Sequence, residues 1–278
     1  GSYLRIGLGA RSIGLANTAP TGSADAYGFF YNPASLPRIQ QKHVGLTYGF
    51  LPLDRMYNYV GFAMPLPPTA GIGVGWLATG VNDIQGRNSS GQKTTMYSAR
   101  QNNFFLSFAN QFSEYVRGGV TLKLMQNDLD EIKTSTVGFD IGLVVEPIPF
   151  VELGLAAQNF NAKMSWDTED VYSQGNTVVD KFPVIYRIGG LFHATATVDL
   201  IAEYERSDQG AVVYRFASRW EPMELASLRI GIADGHLAFG GGLEYDLFSG
   251  VDTGLDYAFV AGRVGEGSAH YFSWSFRF

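Results

Sequence analysis

Fourteen stretches of this chain alternate apolar and polar residues with a period of two. That period places successive side chains on opposite faces of an extended strand. The stretches fall near 43–51, 56–64, 70–79, 102–111, 114–126, 135–146, 150–160, 183–194, 196–206, 210–221, 225–233, 236–247, 250–260 and 269–278. One face of each is apolar: Val44, Leu46, Tyr48 and Phe50 in the first, Phe104, Leu106 and Phe108 in the fourth, Phe139, Ile141, Leu143 and Val145 in the sixth. The opposite faces collect charge. Arg117 shares a parity with Lys123, Asp199 with Glu203 and Glu205, Arg215 with Arg219, Glu244 with Asp246, and Asp252 with Asp256. The phase of each strand follows from its apolar residues, so several charges on one opposite face are independent support for it. In this assignment no Asp, Glu, Lys or Arg falls on an apolar face.

Alternation alone fits either a soluble sandwich or a barrel in lipid, because each has one apolar face. No run of 18 apolar residues exists, so a membrane-spanning helix is excluded and a strand barrel is left as the route across a bilayer. Charged residues are 17% of the chain, below the roughly 25% of soluble proteins. Three features favour the barrel. Among Arg117, Lys123, Arg187, Arg215, Arg219, Arg229 and Arg277, the basic residues of the polar faces, only one is Lys; Arg suits packed, multiply hydrogen-bonded ion pairs. The polar faces also carry glycines (Gly45, Gly49, Gly71, Gly73, Gly75, Gly138, Gly142, Gly240, Gly242), as a crowded interior would. Finally, the connections sort by length. Those after even strands are short, and the two longest, 81–100 and 161–181, follow odd strands, which is the outer-membrane pattern.

The expectation is an all-β, 14-stranded antiparallel transmembrane β-barrel in a bacterial outer membrane, with both termini on the periplasmic, short-turn side. No signal-peptide pattern opens the sequence. The last strand, "HYFSWSFRF", presents Phe272, Trp274, Phe276 and Phe278 on one face. It is read as a lipid-facing strand that closes the barrel against the first. A C-terminal aromatic on such a strand resembles the signal read by the barrel assembly machinery.

Residues 1–42 do not alternate. They are rich in Gly, Ala and Ser, contain the cluster "AYGFFYNPASL", and carry Arg5, Arg11 and Arg38. These properties favour a folded plug over a flexible tail, with its arginines against lumen acids such as Asp199, Glu203, Glu244 and Asp252. The division is a hatch at 1–42 and a barrel at 43–278. A lumen lattice of ion pairs is expected from Arg117, Lys123, Arg187, Asp199, Glu203, Arg215, Arg219, Arg229, Glu244 and Asp252.

"GARSIGLANT" followed by "ADAYGFFYNPASL" resembles the N-terminal signature of the PorV/PorQ proteins, within the superfamily of the fatty acid transporter FadL. Gly9, Ala10, Arg11, Asn32, Pro33 and Ala34 match it, and Ser35 stands where Gly is common. The resemblance covers the whole chain and implies a 14-stranded outer-membrane barrel with an N-terminal hatch.

Other motifs yield no chemistry. "GLGARSIG" has the wrong glycine spacing for a dinucleotide loop. "NDLDE" (127–131) and "DTED" (167–170) lack the glycine of a calcium loop and read as solvated acids. His43, His193, His236 and His270 lie on separate strands at no metal spacing, the first three pointing inward. No Ser-His-carboxylate trio stands out. The chain has no Cys, and its net charge is −6, which argues against nucleic-acid binding. Neither enzyme activity nor a cofactor is expected.

Three roles follow from the resemblance. The first is a PorV-like partner in type IX protein secretion or surface attachment, contacting a larger secretion barrel or exported cargo, and it fits best a lumen sealed by a plug and ion pairs. The second is FadL-like uptake of a hydrophobic ligand with lateral release at a kink in the third strand, where Gly71, Gly73 and Gly75 share a face. The third is a structural subunit of an envelope assembly. Short, polar outer loops weigh against the second.

Overall fold

Strongly β-forming, alternating segments pair in sequence order here, and the ends of that series meet. The computed structural model describes every residue except 1, 131, 169–174, 249 and 263–266. The strands are β1 (His43–Phe50), β2 (Arg55–Leu66), β3 (Ala70–Arg87), β4 (Lys93–Ser113), β5 (Val116–Leu129), β6 (Ile132–Ile148), β7 (Val151–Phe160), β8 (Lys163–Asp167), β9 (Thr177–Lys181), β10 (Ile185–His193), β11 (Val198–Ser207), β12 (Val212–Met223), β13 (Ala226–Ala233), β14 (His236–Phe248), β15 (Val251–Val260) and β16 (Ala269–Arg277). All but β8 and β9 form one closed antiparallel barrel of fourteen strands, each bonded to its sequence neighbour. β8 and β9 pair with each other. Closure is made by β1 against β16, from His43 opposite Arg277 to Phe50 opposite His270. Lys42 and Phe278 exchange two backbone hydrogen bonds of 3.0 Å just beyond it. A closed barrel leaves no strand edge for other chains to pair with.

The two faces of the wall differ as the alternation requires. Outward positions such as Val74, Leu106, Ile141, Ile188, Phe216, Leu243, Leu255, Phe272 and Trp274 are exposed. Inward positions such as Tyr57, Tyr59, Leu77, Phe105, Ser107, Thr121, Lys123, Asp140 and Ser273 are buried. The protein is therefore inside out relative to a soluble sandwich, with its large apolar surface on the outside.

Four findings correct the sequence-based expectation. The stretch 81–100 is not a loop: β3 and β4 continue through it as a hairpin rising above the wall, with register shifts between Val81 and Arg87. The stretch 161–181 holds the β8–β9 hairpin, whose Met164 is buried together with the adjoining Ala162 and Phe182, so this connection is not simply polar. Arg206 has the outward parity of Leu200 and Tyr204 and is exposed, so a charge does fall on an apolar face; it lies at the strand's end, where the wall meets the turn. Fourth, the described residues nearest the two termini are not on the same side. Residue 278 is at the short-turn end. Ile6, however, lies beside Leu51, Pro52, Arg55, Ala269 and Tyr271, and Tyr3 reaches Asn103 and Asn127, all at the long-loop end. An even strand count fixes only where the barrel begins and ends; the preceding segment runs the length of the lumen.

Candidate functional site

The interior is filled by the segment before β1. It contains short helical turns at Ser2–Ile6, Ala10–Ile13, Gly28–Tyr31 and Pro33–Arg38, separated by glycines and prolines that deny it longer helices. Four of its five aromatic residues, Tyr27, Phe29, Phe30 and Tyr31, are buried, packed against inward Tyr57, Tyr59, Phe105 and Tyr271.

The motif residues are its anchors. Gly9 has φ 75, and a Cβ there would meet the Tyr27 ring. The Ala10 N–H donates to Ser273 Oγ at 2.7 Å. Arg11 donates to Glu244 at 2.7 Å and approaches Asp256 at 3.5 Å. Asn32 is used at both ends of its amide. Its Oδ1 accepts from the Ala34 N–H at 3.0 Å, capping the turn that Pro33 begins, and its Nδ2 donates to the Pro20 carbonyl at 2.7 Å, with the Leu143 and Leu155 carbonyls of the wall at 3.3 and 3.2 Å. Pro33 lies against Gly142, and Ala34 is buried. Tyr57 and Tyr59 donate their hydroxyl hydrogens to the Gly7 and Ala26 carbonyls.

The glycines of β3 serve this packing. A Cβ on Gly71 would sit 2.5 Å from the Leu36 carbonyl oxygen, one on Gly73 2.7 Å from the Phe29 ring, and one on Gly75 2.7 Å from the Tyr59 hydroxyl. The ladders from β3 to β2 and to β4 run through all three without a register shift. They form a flat seat for the inner segment rather than the kink expected of them. The wall is instead irregular at β6–β7, where pairing jumps from Phe139–Phe160 to Ile141–Ala157 and Asn159 takes φ 65.

Each of the ten expected lattice residues faces inward and has an ion-pair partner. Arg187 and Arg215 share Glu203, with Arg187 Nε at 2.9 Å and Arg215 at 3.1 Å; Arg215 also holds Glu205 at 2.8 Å. Arg219 and His193 share Asp199. Arg229 pairs with Asp256 at 2.6 Å, Arg117 with Glu146, and Lys123 with Asp140 at 2.6 Å. Arg277 bridges Glu244 and Asp252. The inner segment joins this lattice through Arg5 on Glu205, Arg11 on Glu244 and Arg38 on Glu152. Of the acids expected to receive those arginines, only Glu244 does. Asp140, Glu146, Glu152, Glu205 and Asp256 complete the lattice and were not in the expected set, although each has the inward parity of its strand.

Asp25 is a further buried charge within the segment. It accepts from Ser23 Oγ at 2.7 Å and from the Tyr27 and Gly28 N–H groups at 2.9 Å. Burial alone would raise its pKa; the charges of Arg11 and His43 and these hydrogen bonds outweigh it and hold the carboxyl below its ordinary value. Its contribution to stability is thus present above the ordinary carboxylate pKa and lost as pH falls through the lower folded value. Unfolding midpoints measured from pH 6 down to pH 3 should fall less steeply in Asp25→Asn than in the parent protein.

At the long-loop end of the lumen the filling is incomplete. A cavity of about 230 Å³ lies between Leu4, Phe30, Tyr31, Phe182, Pro183 and Ile185 on its apolar side and, on its polar side, Lys123, Gln158, Asn159 and the ion-paired Arg5, Arg187, Glu205 and Arg215. Arg215 is buried, and its Nε has no hydrogen-bond partner among the described residues. Lys123 lies 5.5 Å from the centre of the Phe30 ring, and Arg187 5.5 Å from that of Tyr31. Such a site takes a compact apolar molecule with a polar end. A cavity of about 150 Å³ already accepts benzene, so this one matches a single ring with a small substituent. Among the described residues no cluster of metal-ligating side chains occurs. Of the acidic runs, Glu131 and 169–170 lie outside the described residues.

The barrel with its filled lumen decides what this chain is similar to. Its structure superimposes on the Pseudomonas putida toluene transporter TodX with a TM-score of 0.70 at 12% identity, covering 98% of each chain. It matches a Pseudomonas aeruginosa FadL homologue with a TM-score of 0.68 at 11% identity over 96% of this chain and 97% of the other. The CymD monoaromatic hydrocarbon channel gives 0.67 at 14% identity over 98% and 97%. The fold is that of the FadL-like barrels. No family model matches the sequence, and no curated protein does either; at these identities the likeness is one of fold alone.

Proposed function

We propose that the protein is an integral outer-membrane barrel, plugged by residues 1–42, that passes small hydrophobic molecules through the cavity at its long-loop end. The observation that carries this reading is the amphipathic cavity of about 230 Å³ between plug and wall. The FadL-like fold, shared with proteins described as hydrocarbon transporters and channels, supports it. The FadL-like barrel, the apolar outer wall and the sorting of the connections support the outer-membrane location, and the outward aromatics Phe272, Trp274 and Phe278 suit an assembly signal. The long-loop end is the outer side, so a ligand meets the cavity before the plug. The unbroken β3 ladders argue against an exit at Gly71–Gly75 and leave the β6–β7 irregularity, beside the cavity, as the weaker part of the wall.

The test is uptake of a radiolabelled monoaromatic hydrocarbon into outer-membrane vesicles. Ile185 is an inward residue of β10 that lines the cavity, and Ile185→Trp fills it. The variant should lose uptake by at least about tenfold while keeping the heat-modifiable gel mobility of a folded barrel. Undiminished uptake by the folded variant would sink the cavity reading.

A PorV-like partner role is the second reading, favoured by the match at Gly9–Ala10–Arg11 and Asn32–Pro33–Ala34. On it, the outer rim contacts protein partners; exposed Val178 and Val179 on β9 supply an apolar contact there.

A further inference from the structure

Among the described residues, a groove on the outer wall has a guanidinium at its end. It measures about 460 Å³ and is lined by residues that include Ile141, Leu155, Ala157, Phe160, Tyr186 and Arg206. Its origin is the irregularity of β7. Because pairing skips from Ile141–Ala157 to Phe139–Phe160, the outward row on β7 runs Leu155, Ala157, Phe160, with Asn159 turned inward to Lys123. The small side chain of Ala157 forms the floor, and the Phe160 and Tyr186 rings, 6.4 Å apart and nearly perpendicular, form one wall.

Arg206 closes the long-loop end, opposite Tyr186 in one ladder and Val212 in the other. No carboxylate among the described residues pairs with it. Two other outward-facing basic residues of the wall do have partners: Lys133 pairs with Asp128 at 3.3 Å, and Arg100 donates to Asn82. Beside Arg206 stand Tyr204 and Tyr214, with ring centres 5.3 Å apart, and outward tyrosines mark the depth of a membrane–water interface. An unpaired guanidinium at that depth lies at the level of lipid phosphates, whose geometry its planar fork matches.

On the reading that the barrel spans a membrane, we propose that this groove binds one acyl chain of a phosphate-bearing lipid of the leaflet at the long-loop end, with the phosphate on Arg206. In a bilayer every apolar groove is filled by lipid, and packing alone selects little. The charge fixed over the end of this one turns annular lipid into a bound one. The groove lies on the outer face of the same stretch of wall that borders the lumen cavity, with Arg187 lining both, and the lipid is placed on the outer face only.

Native mass spectrometry of the intact protein, released from detergent after exchange into mixed dioleoyl phosphatidylglycerol and dioleoyl phosphatidylcholine, tests this. The wild type should retain one phosphatidylglycerol at about tenfold higher occupancy than phosphatidylcholine, the scale of one charge-assisted contact. Arg206→Gln should abolish that preference, and Ala157→Phe, which fills the floor, should lower retention of both lipids. An unchanged preference in Arg206→Gln, or unchanged retention in Ala157→Phe, overturns the proposal. So does full competition by inorganic phosphate, which would mean an ion site without the groove. Failure of the membrane reading looks different: the protein would stay folded and monodisperse without detergent.

Discussion

Asp140→Ala is expected to destabilise the protein by about 3–5 kcal/mol, the cost of stranding one member of a buried ion pair. Asp140 is fully buried and Lys123 is 2% exposed. The pair lies 2.6 Å apart, and Asn159 ties it together, donating its N–H to Asp140 at 2.9 Å and accepting from Lys123 at 3.0 Å. Without the carboxylate, the buried ammonium is left against the Phe30 ring and one amide oxygen. The same argument predicts that Asp140→Leu combined with Lys123→Met recovers most of the loss, because removing both charges also removes their desolvation. Urea unfolding in lipid vesicles measures both variants. A loss below about 1 kcal/mol in Asp140→Ala would mean that the adjoining cavity, which Lys123 lines, solvates the stranded ammonium and that the pair is not buried in the sense argued.

The second large effect is expected on the other face of the wall. Leu106→Arg should cost about 2–4 kcal/mol in refolding into bilayers, the penalty of a cation near the midplane of a barrel's lipid face. Leu106 lies outward on β4 between Val74 and Leu122. On the same row Asn102 and Asn110 bracket Phe104, Leu106 and Phe108, and Asn102 accepts from Trp76 Nε1 at 3.0 Å. The distance from Asn102 to Asn110 along the strand is about 26 Å, which at a tilt of roughly 40° spans about 20 Å, within the ~25 Å apolar band of outer-membrane barrels. Leu106 is its midpoint. If the outer wall instead met water, the arginine would be tolerated.

Much of this architecture was legible in the sequence because its signal is local. A period of two survives any packing, so the fourteen wall strands, the start of β1 at His43 and the closure by "HYFSWSFRF" follow from residues read a few at a time. The upper part of β3 and β4 escaped notice because residues such as Asn82, Asp83, Thr94 and Thr95 stand clear of the wall, where neither face needs to be apolar. Arg206 was hidden for the opposite reason: its neighbours Leu200 and Tyr204 set an apolar row, and only the strand's end frees a charge to sit on it. In the lumen, parity told which residues point inward and nothing about their height or partners. Hence Arg5 meets Glu205 rather than Glu203, and Asp140, the most buried acid of the lattice, stood unremarked between Gly138 and Gly142. The roles of Gly71, Gly73 and Gly75 depend on what packs across the lumen from them, which no strand-by-strand reading contains.

If this barrel works alone on a small apolar ligand, extracting it from its native membrane in mild detergent and weighing the intact complex should show it. The expected mass is that of one barrel, with an apolar small molecule released on denaturation, and no such molecule in Ile185→Trp. Stoichiometric recovery with a second, larger barrel or with exported proteins, and an empty cavity, would contradict it and give the protein a partner's role instead.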